Sequence, residues 1–199
     1  MIRTIACVLR SGGQYDAQHV HRLRDILVGQ ADRFVCLTDM DVDCDTVRMT
    51  TDWPSWWSKL ELFYHFTGQT LYLDLDNIVV DEVKPLFRGT YGLTMVQDFY
   101  KPTGLNSSVM AWRGDFSHIP DTFAAHAESY MQSYRGTHDG RIGDQAFIED
   151  HTLADRFVAG AVVSYKKHCQ NGVLPTGARV VQFHGKPKYT DVNYGWIYK

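Results

Sequence analysis

Two aspartates interrupt an apolar stretch of the chain, LYLDLDNIVV at residues 71–80. In a β-strand, side chains two residues apart lie on the same face, so Asp74 and Asp76 would sit side by side with backbones roughly 7 Å apart. A buried carboxylate without a partner is costly. Two carboxylates, together with the oxygens of a bound diphosphate, suit Mg²⁺ or Mn²⁺. We therefore predict a divalent metal site here; the alternative is that the pair caps helix ends or binds arginine.

A histidine follows another apolar strand near the end of the sequence, in VVQFHGKPKY. His184 is followed directly by Gly185 and Lys186. Glycine lets the backbone approach a ligand closely, and lysine supplies a positive charge for phosphate. This segment is therefore a second candidate ligand site, although a polar strand end followed by a proline turn is the structural alternative.

The elements around these residues have the order of an α/β fold. Residues 2–9 predict a buried strand, the segment from the N-cap Asp16 to Gly29 predicts a helix, and residues 34–38 predict a second strand. Later elements are predicted as a helix at 59–66 with a capping box of Ser58 and Glu61, strands at 71–80, 91–96 and 107–112, helices at 120–134 and 143–150, and strands at 157–165 and 180–183.

This order indicates a mostly parallel sheet, whose ligands bind beyond the carboxyl ends of the strands. The segments that follow the predicted strands should therefore converge on one crevice. They are residues 10–15, 38–45, 74–77, 98–106 and 184 onward.

Composition narrows the classes of protein. The chain has 199 residues, of which 44% are hydrophobic and 22% charged, as expected for one soluble globular domain over residues 1–199. A formal net charge of -3 excludes a general nucleic-acid binder. The four cysteines form no CxxC pair. The apolar runs are too short for a signal peptide or a membrane span, so we expect a cytoplasmic protein.

Taken in chain order, the motifs resemble those of the glycogenin-like, family-eight glycosyltransferases. The matching pieces are an N-terminal strand with a Gly/Tyr turn, WWSKLELF, LYLDLDNIVV, LNSSVMAW, GDQAFIED and FHGKPKY. The resemblance extends through most of the chain. It implies the A-type glycosyltransferase fold, a single-domain, Rossmann-like α/β structure with a mixed, mostly parallel sheet flanked by helices.

The resemblance also implies a role for each matching residue. Asp74, Asp76 and His184 would bind Mn²⁺ or Mg²⁺, with Asp74 shared between the metal and the donor ribose. Gly185 and Lys186 would bind the diphosphate. The other implied positions are Tyr15 stacked on the uracil, Lys59, Asp98, Asn106 and Ser107 at the donor sugar, and Asp144 and Gln145 beside the transferred sugar, with Lys59, Asp144 and Gln145 as the catalytic residues.

Two positions depart from the family pattern. The usual Asn-Ser-Gly is Asn-Ser-Ser here, with Ser108 in place of glycine. The family commonly spaces the His, Gly and Lys of its last motif three residues apart, whereas His184, Gly185 and Lys186 are adjacent. The chain therefore differs from the family pattern at the donor sugar and in the last motif.

The implied activity is metal-dependent transfer of a hexose from a UDP-sugar to a carbohydrate or other hydroxyl acceptor, with retention of anomeric configuration. The departing diphosphate gains negative charge, which a divalent cation and Lys186 would stabilise. Two other classes remain open: a metal-dependent nucleotidyl or phosphoryl transferase, which also uses paired aspartates, and a non-catalytic sugar-nucleotide-binding module.

Overall fold

A computed structural model describes residues 2–87, 92–136 and 142–197. The strands are β1 (Arg3–Leu9), β2 (Arg33–Thr38), β3 (Thr46–Arg48), β4 (Gln69–Leu73), β5 (Asn77–Val79), β6 (Gly92–Gln97), β7 (Leu105–Arg113), β8 (Ala154–Arg156), β9 (Val162–Ser164) and β10 (Val180–Gln182). The α-helices are α1 (Ala17–Ile26), α2 (Leu62–His65), α3 (His118–Ala125), α4 (Ala127–Ser133) and α5 (Gly143–His151). Short 3₁₀ helices span Ser55–Glu61, Lys84–Phe87 and Tyr189–Asp191.

The strands form two sheets. The larger sheet has the order β3-β2-β1-β4-β7-β6-β8, and the smaller one has the order β5-β10-β9. In the larger sheet β7 runs antiparallel to both neighbours, and the other pairs are parallel. This is the predicted mixed, mostly parallel α/β architecture, and that prediction is confirmed.

The larger sheet is covered on both faces, because alternate side chains of its central strands enter different cores. Tyr72 of β4 and Met110 of β7 belong to the core that contains the 3₁₀ helix Ser55–Glu61. Leu71 and Leu73 belong to the core on the opposite face. A third apolar cluster surrounds the smaller sheet. In the described ranges no helix has both the length and the apolar character required to cross a bilayer.

The single strand predicted over residues 71–80 is instead two strands in two sheets. β4 ends at Leu73, and β5 begins at Asn77 in the smaller sheet. A turn separates them, in which the Asn77 N–H donates to the Asp74 carbonyl at 3.1 Å. Asp74 and Asp76 therefore lie in a turn at the junction of the sheets, where the carboxylates can reach solvent and ligands.

Two other long segments are also divided. The helix predicted over residues 120–134 is broken at His126, whose φ of -149° and ψ of 42° are not helical, so that α3 and α4 are separate. The strand predicted over residues 157–165 is confined to β9, and β8 precedes it in the larger sheet. Hydrophobic spacing identified the buried positions but not the places where the backbone changes direction.

The capping box predicted at Ser58 and Glu61 is wrong. The Ser58 hydroxyl donates to the Ser55 carbonyl at 2.7 Å, inside a 3₁₀ helix that continues into α2. The buried Glu61 carboxylate instead accepts hydrogen bonds from the backbone N–H groups and hydroxyls of Thr50 and Thr51, with both hydroxyls at 2.7 Å. Glu61 therefore fixes the preceding segment against the helix.

Replacing Glu61 by glutamine should destabilise the fold by about 2 kcal/mol at neutral pH, since hydrogen bonds to a charged group are lost. Burial raises the pKa of Glu61, but the donors on Thr51 and Thr50 outweigh it and lower that pKa below its ordinary value. The stabilisation by the Glu61 carboxylate is present above its ordinary pKa and is lost as pH falls through its lowered pKa. The loss of unfolding free energy in Glu61→Gln should therefore shrink in acid. Urea unfolding at several pH values measures it, with the exposed Glu128→Gln as control. A deficit independent of pH would contradict this account.

Candidate functional site

A cleft of about 540 Å³ opens at the carboxyl ends of β1 and β4. Its walls come from three segments: residues 8–15, the 3₁₀ helix Ser55–Glu61, and the turn between β4 and β5. The crevice predicted at residues 10–15 and 74–77 is therefore present. Residues 38–45 do not line it; Asp39 instead accepts hydrogen bonds from the Ser11 N–H and hydroxyl.

A smaller cavity of about 200 Å³ adjoins the cleft and shares Trp56, Lys59 and Asp74 with it. β7, the start of α5 and the end of β10 supply its other walls. These residues are Asn106, Ser107, Ser108, Ile142, Gly143, Asp144, Gln145 and Gln182. Asp74 therefore stands at the boundary between a larger and a smaller compartment.

Lys59 is buried in the wall between the two cavities. Its Nζ lies 3.1 Å from Asp74 Oδ1 and 3.1 Å from Asp144 Oδ2, and it donates to the Ser107 hydroxyl at 3.1 Å. Burial lowers the pKa of Lys59, but the Asp144 and Asp74 carboxylates outweigh it and raise that pKa above its ordinary value. Lys59 is therefore a permanent cation that fixes two carboxylates from distant parts of the chain.

The ionised form of Asp74 remains disfavoured although Lys59 is close. Burial and the Asp76 carboxylate raise the pKa of Asp74 to about 6, against the opposing effect of Lys59. Asp74 Oδ1 also accepts a short hydrogen bond from the Tyr72 hydroxyl. Further positive charge in the cleft would thus stabilise the ionised form of Asp74.

Asp76 is held by two side chains. Its Oδ2 accepts hydrogen bonds from the Tyr15 hydroxyl at 2.9 Å and from Lys188 Nζ at 3.2 Å. Lys188 Nζ also donates to the Tyr15 hydroxyl at 2.9 Å. Burial, with Asp76 next in importance, raises the pKa of Tyr15, so its hydroxyl stays a donor. The ring of Tyr15, predicted to stack on uracil, lines the larger cleft.

The residues predicted at the donor sugar meet in the smaller cavity. Asp144 lies in the first turn of α5 and accepts from the Ser107 hydroxyl at 2.6 Å. Asn106 Nδ2 donates to Gln145 Oε1 at 3.3 Å. Together with Lys59, these predicted residues come from three separate elements and converge on one space.

Three predicted residues lie elsewhere. Asp98 Oδ1 accepts from the backbone N–H groups of Tyr100 and Lys101, so it shapes its own loop and lines neither cavity. Lys186 has an 80% exposed side chain, 3.3 Å from Asp191 Oδ2. Gly185 has φ +66° and lines neither cavity. The cation that reaches the cleft from this segment is Lys188.

His184, the predicted third metal ligand, has its Nε2 2.8 Å from the Ser164 hydroxyl. Burial, and then Lys166, lower the pKa of His184, which favours the neutral ring. Within residues 2–87, 92–136 and 142–197, no three His, Cys, Asp or Glu side chains are grouped so as to hold a metal. Among the described residues, the donors to Asp74 all bond its Oδ1 and those to Asp76 all bond its Oδ2, which leaves one oxygen of each carboxylate for a ligand. The two carboxylates therefore fit a hard divalent cation, whereas His184 does not complete the set in this conformation.

The sequence analysis missed Lys188 and Gln182. Gln182, Gly185 and Lys188 are three residues apart, which is the spacing commonly found in the resembled family, with glutamine where that family has histidine. This spacing is the signal that identifies Lys188. Gln182 is a single polar residue in the apolar run VVQF, and that is the kind of interruption that singled out the two aspartates.

Trp56 was not separated from the other tryptophans by the sequence. It is 48% exposed, whereas Trp53, Trp57, Trp112 and Trp196 are buried. Ser55 immediately before it has φ +54°, a left-handed conformation that is rare for residues other than glycine. The indole lies on Gly143, where a Cβ atom would come within 2.6 Å of Trp56 Nε1. Backbone strain and a glycine together present this indole to both cavities.

Solved structures with a similar fold include GlyE of Streptococcus pneumoniae TIGR4, with TM-score 0.62 and 11% identity over 96% of this chain and 57% of GlyE. The galactosyltransferase LgtC, solved with donor and acceptor sugar analogs, matches with TM-score 0.58 and 13% identity over 94% of this chain and 88% of LgtC. Mouse xyloside xylosyltransferase 1 matches with TM-score 0.52 and 10% identity over 92% of this chain and 97% of the enzyme. No protein-family model and no curated protein matches the chain. The chain thus has the A-type glycosyltransferase fold and spans little more than half of GlyE.

Replacing Lys59 by methionine should destabilise the protein by about 3 kcal/mol or more at neutral pH, because two carboxylates lose their buried cation. Without Lys59 the pKa of Asp74, already raised to about 6, should rise further, and protonation then removes the repulsion. The deficit should therefore shrink as pH falls from the raised pKa of Asp74 in the variant towards about 6, its pKa in the wild type. Urea unfolding at a series of pH values tests this.

Lys84→Met is the matched control, because Lys84 forms a solvent-exposed ion pair with Glu82 at 3.1 Å. It should change the free energy of unfolding by less than about 1 kcal/mol. If Lys59→Met and Lys84→Met behaved alike, the buried three-charge cluster would not be the source of stability assigned to it.

Proposed function

We propose that this chain is a metal-dependent glycosyltransferase that moves a hexose from a UDP-sugar to a hydroxyl acceptor with retention of anomeric configuration. The observation that carries the proposal is that the Asp74 carboxylate stands where two cavities of unequal size meet, while Asp76 lines the larger one. A sugar nucleotide has the same division, with a nucleoside on one side of a diphosphate and a sugar on the other. The glycosyltransferases that share the fold support this assignment.

In this proposal Asp74 and Asp76 would hold Mn²⁺ or Mg²⁺ through the oxygens that make no hydrogen bond to the described residues. Such an ion, when bound, supplies a Lewis acid for the charge of the departing diphosphate. We assign to Lys188 the phosphate-binding role that the sequence predicted for Lys186. Its Nζ already lies 3.2 Å from Asp76 Oδ2, at the mouth of the cleft.

The residues of the smaller cavity would orient the sugar. Asp144 is held by Lys59 and by the Ser107 hydroxyl, so its carboxylate has a fixed position. Gln145 is held by Asn106. We propose that Asp144 and Gln145 contact the transferred sugar, and that Lys59 acts as a positioning residue, because its three partners occupy its ammonium group.

Two other functions compete with this proposal. A nucleotidyl or phosphoryl transferase would release pyrophosphate or phosphate from a nucleoside triphosphate, whereas a glycosyltransferase releases UDP from a UDP-sugar. A binding module would bind UDP with metal but release nothing, and the position of His184 away from the carboxylates favours it as the second candidate. Incubation with UDP-sugars or nucleoside triphosphates and Mn²⁺, followed by product analysis, distinguishes the three.

Asp76→Asn should reduce metal-dependent UDP binding by at least about tenfold, because the carboxylate charge that attracts the ion is removed. Without ligand, the variant should unfold within about 1 kcal/mol of the wild type, since lost attraction to Lys188 is offset by lost repulsion from Asp74. Calorimetric titration of UDP with and without Mn²⁺ measures the first effect. Asp98→Asn, outside both cavities, is the control. Unchanged UDP affinity in Asp76→Asn would refute the metal assignment.

We further propose that the exposed face of Trp56 receives the acceptor sugar at the junction of the cavities. Trp56→Ala should lower the rate of transfer to the best acceptor in a panel of methyl glycosides by about tenfold, as loss of an aromatic contact implies. Hydrolysis of the donor by water should change less, since water makes no use of the indole. Tyr64→Ala, an exposed aromatic that lines neither cavity, serves as control. Equal losses of transfer and hydrolysis would place Trp56 at the donor instead.

A further inference from the structure

Two buried polar atoms in the wall of the smaller cavity have no hydrogen-bond partner among the described residues. They are Ser108 Oγ and Gln182 Oε1, on side chains whose residues are 2% and 5% exposed. Buried hydroxyl and amide oxygens are nearly always bonded, because an unpaired one loses the hydrogen bonds it made with water. A ligand in this cavity is the natural partner for both.

The backbone fixes both residues. Ser108 lies in β7, and its carbonyl accepts from the Asp74 N–H at 2.9 Å and from Asn77 Nδ2 at 2.8 Å. Gln182 ends β10 and pairs with Asn77 of β5 on one side and Ser164 of β9 on the other. These contacts fix the backbone at both residues, so both side chains emerge from fixed points in the cavity wall.

The charges around the cavity indicate what kind of group fits. Lys59 is already balanced by Asp74 and Asp144, so these three side chains carry a net negative charge. A phosphate would be repelled, whereas an uncharged group would not. The amide oxygen of Gln182 needs a hydrogen-bond donor, and the hydroxyl of Ser108 can donate or accept. A sugar hydroxyl meets both requirements.

We propose that Ser108 and Gln182 select the donor sugar by hydrogen bonding to free ring hydroxyls. This inference rests on the function proposed above and specifies its substrate class: a sugar with unsubstituted hydroxyls at the positions that face these residues. A donor with a deoxy position there leaves a buried oxygen unpaired, and such sites discriminate strongly against analogues that lack the hydroxyl. Serine at position 108, where the resembled family has glycine, thus adds a polar contact to the cavity.

The test compares UDP-glucose, UDP-galactose, UDP-xylose and UDP-N-acetylglucosamine, followed by the monodeoxy series of the best donor, with UDP release as readout. The wild type should prefer the parent over at least one monodeoxy donor by about ten- to a hundredfold in kcat/KM. Ser108→Ala or Gln182→Met should lower kcat/KM for the parent donor by a similar factor and abolish that preference. Affinity for UDP itself should stay within about twofold, which also shows that the variants are folded.

Three results would count against the inference. If the wild type does not discriminate among monodeoxy donors, the inference is wrong whatever the variants do. If both folded variants keep the wild-type preference, then the two oxygens are satisfied by water and do not select the sugar. If the wild type neither binds UDP nor releases it from any donor, the proposed function fails and the inference fails with it.

Discussion

The arrangement of the site depends on one buried ammonium group. Lys59 Nζ lies 3.1 Å from the carboxylates of both Asp74 and Asp144, which come from the turn after β4 and from the first turn of α5. Two carboxylates buried at such depth without a cation would be costly. The 3₁₀ helix that carries Lys59 is itself held by the Glu61 hydrogen bonds to Thr50 and Thr51. The wall between the two cavities is thus fixed by the ion pairs of Lys59 and by the hydrogen bonds of Glu61.

The larger cleft has a different character. Its anionic centre, Asp76, is shared between Tyr15 and Lys188, and these two side chains also bond each other. Lys188 comes from the segment after β10, whereas Asp76 belongs to the turn that enters β5. In the function proposed above, a diphosphate would compete with Asp76 for Lys188, whereas the ion would bind the other carboxylate oxygen of Asp76. The charge of the ion would then offset that of the diphosphate.

Much of the fold and part of the site follow from the sequence. Alternation and apolar runs identify β1, β2, β7 and α1, because local spacing determines which face is buried. The breaks at residues 74–76 and at His126 have no such signal, because they arise where the chain passes from one packing surface to another. The sequence likewise suggested Lys59, Asp74 and Asp144 as separate candidates, but their common ion cluster depends on contacts between residues far apart in the chain.

The last motif shows the same limit at shorter range. Lys186 and Lys188 are chemically equivalent in the sequence, yet one is 80% exposed and the other reaches Asp76. Residue type alone does not distinguish them; the spacing from Gly185 and the path of the backbone after β10 do. The order of residue types in a motif therefore predicts a ligand site more reliably than it predicts which of two neighbouring lysines serves it.

Gly143 joins the two halves of the site. It begins α5, so it sets the position of Asp144, and its missing side chain leaves the space in which the Trp56 indole lies. A methyl group at this position would collide with the indole ring of Trp56. It would also strain the backbone, whose φ of +69° favours glycine. The start of α5 and the Trp56 indole consequently cannot be adjusted independently: a shift in one moves both the counter-ion of Lys59 and the aromatic wall shared by the two cavities.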